Sequence, residues 1–167
     1  MLRLLPIFMR HALSLTATLL ALLLSMTACA SKNPYEIADD HRRQGRCDLA
    51  VEEYSKAIAK ARSDHELARA YYFRSRCHEE LAEVGPAYAD AYAALRVSCY
   101  LAATEREERT RPLGFIIGPA YCRAEGPVRL SELGEEITEQ EALQQRLQAE
   151  QALPKRIREI PLPDHVR

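Results

Sequence analysis

Five cysteines are the side chains in this 167-residue sequence best able to do chemistry. Cys29 stands alone near the N-terminus, and the other four, Cys47, Cys77, Cys99 and Cys122, are spread over the middle of the chain. An even set of four thiols can form two disulfides in an oxidising compartment, and the four can be paired in three ways.

Metal binding is the alternative use of these thiols. It would combine two of them with two histidines, in the set His41, Cys47, Cys77 and His78. That spacing matches no familiar zinc pattern, so we predict no metal and no other cofactor.

Catalytic motifs are absent from the sequence, which contains no glycine-rich phosphate loop, no HExxH, no CxxC and no GxSxG. Paired carboxylates such as Glu79 and Glu80 leave a hydrolase of the cell envelope as an alternative. We disfavour it, because they belong to a charged helix without a pocket pattern, and we predict that the protein is not an enzyme.

Composition favours an all-helical protein. Glycine occurs only six times, and no stretch shows a sustained alternation of apolar and polar residues. The formal net charge of −1 excludes a global field that would attract nucleic acid. The length suits one small domain and a targeting segment.

The N-terminus has the pattern of a secretion signal. Arg3 and Arg10 precede an apolar run over residues 12–24, which leads into the sequence Met-Thr-Ala-Cys at residues 26–29. This segment resembles the lipobox of bacterial lipoproteins, although Met26 stands where that family usually has Leu. The resemblance implies that residues 1–28 are removed and that Cys29 becomes the acylated first residue.

The alternatives are a transmembrane anchor or an ordinary cleaved signal, but the apolar run is short for a span of about 20 residues. Ala30 follows Cys29, where the lipoprotein family has Asp for inner-membrane retention. The resemblance therefore implies a periplasm-facing protein, lipid-anchored in the outer membrane of a Gram-negative bacterium. Residues 29–33 would form a short tether.

Residues 34–111 carry signals for two helical hairpins. Asn33 followed by Pro34 is a helix start, and Ser63 with Glu66 forms a capping box. Turns are predicted at Gly45 and at 85–86, and Asp48 is a candidate cap for the second helix. The predicted helices cover about 34–44, 48–62, 64–83 and 87–95, and residues 99–109 could continue the last one or form a further helix.

Residues 44–61, QGRCDLAVEEYSKAIAKA, resemble the tetratricopeptide repeat (TPR), in which a Gly, an Ala, an aromatic residue and a second Ala recur in that order. Two such units align at an offset of 37 residues, close to the usual period. The matched pairs are Ala38 with Ser75, Ala50 with Ala87, Ala57 with Ala94, and Ile58 with Leu95. The resemblance implies an all-α, TPR-like solenoid of antiparallel helical hairpins. A generic helical bundle is the alternative.

The C-terminal third is predicted as a capping loop, a helix and a tail. Glycines and prolines predict a loop over 112–137, whose apolar residues 115–117 would cover the end of the repeats or, as the alternative, bind a partner. Thr138 with Glu141 opens a helix over 138–153. Its thin apolar stripe is Ala142, Leu143, Leu147 and Gln151. Residues 154–167 are predicted to be a flexible or extended tail.

The TPR resemblance also implies a binding groove and a disulfide pattern. The groove would be lined by the first helix of each repeat, through Tyr35, Asp39, Arg42, Tyr72, Arg76 and Glu79. Because the second helix of one unit packs against the first helix of the next, the resemblance favours the pairs Cys47–Cys77 and Cys99–Cys122.

The function expected from these resemblances is that of a scaffold or adaptor for an envelope protein or peptide segment, held at the membrane by its lipid. A structural envelope lipoprotein without a peptide-binding groove is the alternative. Neither the oligomeric state nor the pathway is readable from the sequence.

Overall fold

The computed structural model describes residues 33–104 and 118–164. The predicted signal peptide, Cys29, most of the tether and the apolar residues 115–117 lie outside this range, and so do positions 165–167. The described chain is helical and contains no strand. Its helices are α1 (Pro34–Arg43), α2 (Cys47–Ala59), α3 (Asp64–Glu80), α4 (Val84–Thr104), α5 (Pro119–Arg123), α6 (Glu125–Glu135), α7 (Glu139–Ala152) and α8 (Lys155–Arg158).

Three predicted helix starts are confirmed by side-chain caps. Asn33 accepts a hydrogen bond from the backbone N–H of Tyr35, and Ser63 and Thr138 each accept one from the residue three positions later. Asp48 does not cap α2, which begins after Arg46 without a side-chain cap. It lies instead in the first turn, where its charge faces the positive end of the helix dipole.

Two tight turns reverse the chain between consecutive helices. Gly45 has a φ of 69°, the left-handed conformation that glycine adopts most easily, as the sequence predicts. The second turn differs from the prediction, since it lies before Val84 and contains Ala82 at a φ of 58°. Gly85 is buried in the first turn of α4, where a Cβ would lie only 3.1 Å from Glu141 of α7.

Helix α4 is the centre of the described domain and is buried along most of its length. Helices α1, α2, α3 and α4 each pack against the next in sequence, and α5, α6, α7 and α8 all pack against α4. One apolar cluster joins the first three helices around Tyr54, and a larger one surrounds Tyr88 and Leu95 of α4. The positions matched at the offset of 37 are buried, apart from the partly buried Ile58.

A buried ion pair fixes the register of α2, α3 and α4. Arg74 of α3 bonds both carboxylate oxygens of Asp90 of α4, each at 2.6 Å, and donates to Ser55 of α2 at 2.9 Å. Asp90 is only 4% exposed. Burial alone would lower the pKa of Arg74, but its bonds to Asp90 raise it. The charge of each partner is thus satisfied across three helices.

The predicted loop over 112–137 is corrected for its described part, which forms α5 and α6. The prolines that suggested a loop lie in the first turns of these helices, where the missing N–H leaves no hydrogen bond unmade. Gly126 permits close packing, because a Cβ there would lie 2.7 Å from Leu95 of α4. The glycine thus serves a tertiary contact and does not break the helix.

The predicted flexible tail is also corrected over residues 154–164. Lys155–Arg158 form α8, and Ile157 is completely buried. Helix α7 begins and ends close to the predicted positions, but of its predicted apolar stripe Ala142 alone packs against the core. Leu143 and Leu147 are 58% and 55% exposed, and Ala149 is the residue of α7 that is buried.

Candidate functional site

The predicted groove residues of the first repeat lie along one side of α1. Tyr35, Asp39 and Arg42 follow each other at spacings of four and three, so they share a helix face. That face meets α3, where Arg69, Phe73 and Arg76 have the same spacing. We call these six residues the α1/α3 face.

Aromatic rings join three helices beneath this face. Tyr35 of α1 meets Tyr54 of α2 edge-on at 5.8 Å between ring centroids, and Phe73 of α3 stacks on Tyr54 at 6.3 Å. Tyr35 and Phe73 are themselves 6.5 Å apart. Such aromatic pairs stabilise beyond their buried area. They make a platform from one residue of each helix.

Two arginines cover this platform. The guanidinium of Arg42 lies 4.4 Å from the ring centroid of Phe73, and that of Arg69 lies 4.7 Å from the ring of Tyr35. Both distances are within the range of cation–π attraction. Because its guanidinium is planar, arginine can stack on an aromatic ring and also form hydrogen bonds at its edge.

Asp39 orients the first of these arginines. Its Oδ1 accepts a bond of 2.6 Å from Arg42, while its Oδ2 pairs with Arg43 at 2.7 Å. Arg42 also donates to the hydroxyl of Tyr54 at 3.3 Å. Burial alone would lower the pKa of Arg42, but the bonds with Asp39 and Tyr54 raise it. Arg42 therefore stays charged and fixed.

The predicted groove residues of the second repeat are partly covered. The hydroxyl of Tyr72 donates to Glu125 of α6 at 3.1 Å, and its ring meets Tyr121 of α5 edge-on at 5.5 Å. Glu79 forms ion pairs with Arg76 of its own helix and with Arg129 of α6. Helix α6 thus occupies the part of the groove that the sequence assigns to Tyr72 and Glu79.

Burial and a neighbouring positive charge both lower the pKa of Arg129 in α6. It is only 6% exposed, and burial followed by the nearby Arg76 lowers its pKa to about 10. Burial also raises the pKa of Tyr72, and Glu125 raises it further. These contacts bring Arg76 beside the covering helix, whereas the contacts of Tyr35, Asp39 and Arg42 described above are with α1, α2 and α3.

Sequence reasoning did not identify Phe73, Arg69, Glu125 and Arg129 as members of this region. Phe73 and Arg69 precede the assigned Arg76 by three and seven residues, so they share its helix face, and this spacing could have revealed them. No local pattern could have revealed Glu125 or Arg129, because α6 reaches α3 through tertiary packing.

A cavity of about 300 Å³ opens beside the face, between the start of α1, the end of α2 and the start of α3. Tyr35 and Arg69 form part of its wall, together with Lys60 and Glu66. Its walls carry both signs of charge and one aromatic ring. Such a site suits a polar segment that carries charge better than it suits an apolar ligand.

Both disulfide pairs favoured at the sequence level occur in the structure, as Cys47–Cys77 and Cys99–Cys122. The first joins α2 to α3 and the second joins α4 to α5, with Cα atoms 4.9 Å apart in each pair. The first pair consumes both thiols that the alternative metal site needs. Within residues 33–104 and 118–164, no group of three His, Cys, Asp or Glu side chains could hold a metal ion.

The remaining side chains considered for chemistry have structural neighbours. His78 bonds Glu83 at 2.6 Å, and Glu80 lies 3.1 Å from the sulfur of Cys47. His41 lies in the last turn of α1, half-buried. In the described part of the chain, no helix is both long and apolar enough for a membrane span.

Comparison with known proteins gives no match to a family model, to a curated protein or to a solved structure.

Proposed function

We propose that this protein is a lipid-anchored TPR-like module that binds an extended segment of a partner protein at the outer membrane. The observation that carries the proposal is the α1/α3 face, where two arginines cover aromatic rings supplied by consecutive hairpins. Tyrosine and arginine are favoured at binding sites, because they offer large contact area and directional donors.

The TPR-like assignment is supported by the order of packing and by the repeat. Helices α1 to α4 pack in sequence, and the small residues matched at the offset of 37 are buried in both hairpins. The first helices of the two hairpins, α1 and α3, meet along the α1/α3 face. These are the helices that line the concave surface in TPR proteins.

The anchor is proposed from the lipobox-like sequence that ends at Cys29. Acylation would hold the module at the membrane firmly, since each buried CH₂ contributes about 0.8 kcal/mol. Two disulfides agree with a periplasmic location, where thiols are oxidised.

Partner binding is expected at the α1/α3 face, because α6 covers the predicted groove residues Tyr72 and Glu79 of the second repeat. The partner segment would present carboxylates to Arg42 and Arg69, and a cation or a hydroxyl to Asp39. Mixed charge on the face favours a segment with both signs over a purely acidic one.

The decisive experiment compares two neighbouring arginines. Envelopes producing tagged protein are briefly crosslinked, and captured partners are compared among the wild type, Arg42→Ala and Arg43→Ala. Both arginines pair with Asp39, but only Arg42 lies over Phe73. We expect Arg42→Ala to lose a defined partner that Arg43→Ala retains, with both variants checked for melting temperature.

Equal capture by both variants would contradict the assignment of the face. It would favour the structural alternative, in which the tether and the disulfides matter more than any groove. That alternative has one observation in its favour, since α6 already covers Tyr72 and Glu79. It predicts tolerance of changes at Arg42 and intolerance of the loss of Cys29.

A further inference from the structure

Helix α7 turns the charged side chains of its middle toward α4 and two leucines toward solvent. Glu150 lies 2.8 Å from Arg96 and accepts a hydrogen bond of 2.7 Å from Tyr92. Arg146 donates to the hydroxyl of Tyr88 at 2.5 Å. A surface helix ordinarily has the opposite arrangement, with its apolar stripe toward the core and its charges toward water. The polarity of α7 is thus inverted along its middle.

The exposed side of α7 is apolar and uncharged. Leu143 and Leu147 are 58% and 55% exposed, and their spacing of four places them one above the other on the helix. Exposed glutamines surround them. We call this surface the outer α7 face, and its residues are Gln140, Leu143, Gln144, Leu147, Gln148 and Gln151.

The outer α7 face is complementary to itself. When two copies pack antiparallel about a two-fold axis midway between Leu143 and Leu147, Leu143 of each copy meets Leu147 of the other. The glutamines beside them both donate and accept hydrogen bonds, so amides of one copy can pair with amides of the other. No charged group of the face has to be buried, because the face has none.

The surface where α7 begins is acidic. Glu135, Glu136 and Glu139 are exposed there, and residues 130–145 contain no lysine or arginine. The next cation along the chain, Arg146, is bound to α4. Two copies packed in parallel would place these carboxylates against each other, and like charges at close range repel. The charges therefore disfavour the parallel arrangement.

The surface where α7 ends carries exposed cations among carboxylates. Lys155 is 80% exposed and lies 3.5 Å from Glu159, and Arg158 is exposed as well. Arg156 pairs with Asp64. An antiparallel pair brings the acidic end of each copy to this mixed end of the other. Cations then stand opposite carboxylates at both ends of the contact, which favours this orientation.

We infer that the protein forms a homodimer in which the outer α7 faces of two copies pack antiparallel. Helix α7 has 14 residues and a length of about 21 Å, so one side of it covers less than the roughly 800 Å² per partner of a standard interface. The dimer is therefore weak and reversible. It requires neither the proposed partner nor the lipid anchor, and it presents two copies of the α1/α3 face.

Photocrosslinking in intact cells identifies what covers the outer α7 face. Benzoylphenylalanine is introduced in place of Gln144, and the cells produce two forms of the full chain with different C-terminal tags. Illumination should yield an adduct that carries both tags and has twice the mass of the chain. The same probe in place of Glu52, which is 69% exposed on α2, is the control and should yield no such adduct.

Two variants that also carry the probe at position 144 test the leucines. Leu143→Glu with Leu147→Glu should reduce the two-tag adduct at least about tenfold, because burial of the leucines is lost. Val128→Glu should leave it unchanged, since Val128 is also 58% exposed but belongs to α6. Melting temperatures verify that both variants are folded. An undiminished adduct in the leucine variant would overturn the dimer.

Charge reversal tests the antiparallel orientation. One variant combines Glu135→Lys with Glu136→Lys, and the other combines Lys155→Glu with Arg158→Glu. Each variant alone should form at least about fivefold less adduct than the wild type, because like charges then meet at both ends. The two variants produced together with different tags should restore the adduct. A wild-type yield from the first variant alone would overturn the antiparallel dimer.

The probe at position 144 also reports the other outcomes. An adduct with a different protein would show that another partner covers the outer α7 face, and the absence of any adduct would show that water covers it. Either result would overturn the dimer and leave the proposal for the α1/α3 face standing. Equal two-tag adducts from positions 144 and 52 would show random collision and would also overturn the dimer.

Discussion

At the scale of single residues, Arg96 is the cation that holds the C-terminal chain in place. It donates to the carbonyls of Ile157 at 3.1 Å, Arg158 at 2.9 Å and Ile160 at 2.9 Å. Its Nε lies 2.8 Å from the carboxylate of Glu150 in α7. One buried side chain on α4 thereby satisfies backbone carbonyls at the end of α8 and just after it.

Replacing this cation should destabilise the protein strongly. Arg96→Met retains the buried length of the side chain but leaves Glu150 without its cation and three carbonyls without donors. We expect the free energy of unfolding to fall by about 3–5 kcal/mol, measured by urea denaturation. Arg43→Met is the control, since an exposed ion pair contributes only about 0–1 kcal/mol. Equal unfolding midpoints for the two variants would contradict this role for Arg96.

Two turn residues with positive φ predict opposite effects of exchanging Gly and Ala. Gly45→Ala has open space for its Cβ but must adopt a φ of 69°, so it should lose about 1 kcal/mol of stability. Ala82→Gly relieves the same strain at a φ of 58° and should gain about 0.5–1 kcal/mol. Thermal unfolding of both variants tests the pair. Changes of the same sign would show that backbone strain does not govern these turns.

At the scale of elements, α6 shows why part of the groove escaped prediction. Glycine and proline are local signals for a loop, but Pro127 needs no donor in a first helical turn. Position 126 needs a glycine because Leu95 of α4 and Tyr121 of α5 leave too little room for a Cβ. Both residues belong to other helices, so no local pattern shows the need. Local caps at Asn33, Ser63 and Thr138 were predictable, because each depends on a residue two or three positions away.

The close packing of α6 predicts a sharp difference between two glycines. A Cβ at position 126 would lie 2.7 Å from Leu95 and 2.8 Å from the carbonyl of Tyr121, whereas one at position 118 meets nothing within 4 Å. Gly126→Ala should cost about 1–3 kcal/mol through overpacking, more than the gain in helix propensity of up to about 1 kcal/mol. Gly118→Ala should change stability little.

Urea unfolding measures both glycine variants, and hydrogen exchange of residues 119–135 shows whether the loss is local to α5 and α6. A Gly126→Ala protein as stable as Gly118→Ala would show that α6 can shift without cost. In that case its contacts with Tyr72 and Glu79 would not be a fixed cover of the groove.

At the scale of the whole molecule, the sequence pattern was sufficient for the α1 side of the α1/α3 face but not for Arg69 and Phe73 or for the surroundings of the face. Tyr35, Asp39 and Arg42 share a helix face through local spacing, and the repeat offset places α3 beside α1. The exposure of Leu143 and Leu147 could not be predicted, because α7 reaches α4 through Ala149 and the polar bonds of Arg146 with Tyr88 and Glu150 with Tyr92.

Tyrosines make alkaline stability a property of the whole fold. Burial is the first cause that raises the pKa of six of the eight tyrosines in the sequence: Tyr35, Tyr54, Tyr71, Tyr72, Tyr92 and Tyr121. An unfolded tyrosine ionises near pH 10, so above that pH the folded chain binds more protons than the unfolded chain. Stability is therefore fully present below pH 10 and falls as the pH rises beyond it.

Arg129 acts in the opposite direction, because its pKa is lowered to about 10 in the folded state. It recovers some stability as the pH rises above 10, but one such group opposes six tyrosines. We expect a rapid alkaline titration to show part of the 295 nm phenolate absorbance rising near pH 10. The remainder should appear at higher pH together with the loss of helical circular dichroism.

In urea all eight tyrosines should titrate as one group near pH 10, which gives the absorbance of complete ionisation. Recovery of the helical circular dichroism at neutral pH checks that the disulfides survived the scan. Complete ionisation near pH 10 with an unchanged helical signal would mean that hydroxide reaches the rings beneath the α1/α3 face without unfolding. The three-helix platform of Tyr35, Tyr54 and Phe73 would then be an open surface and could not hold Arg42 and Arg69 in place for a partner.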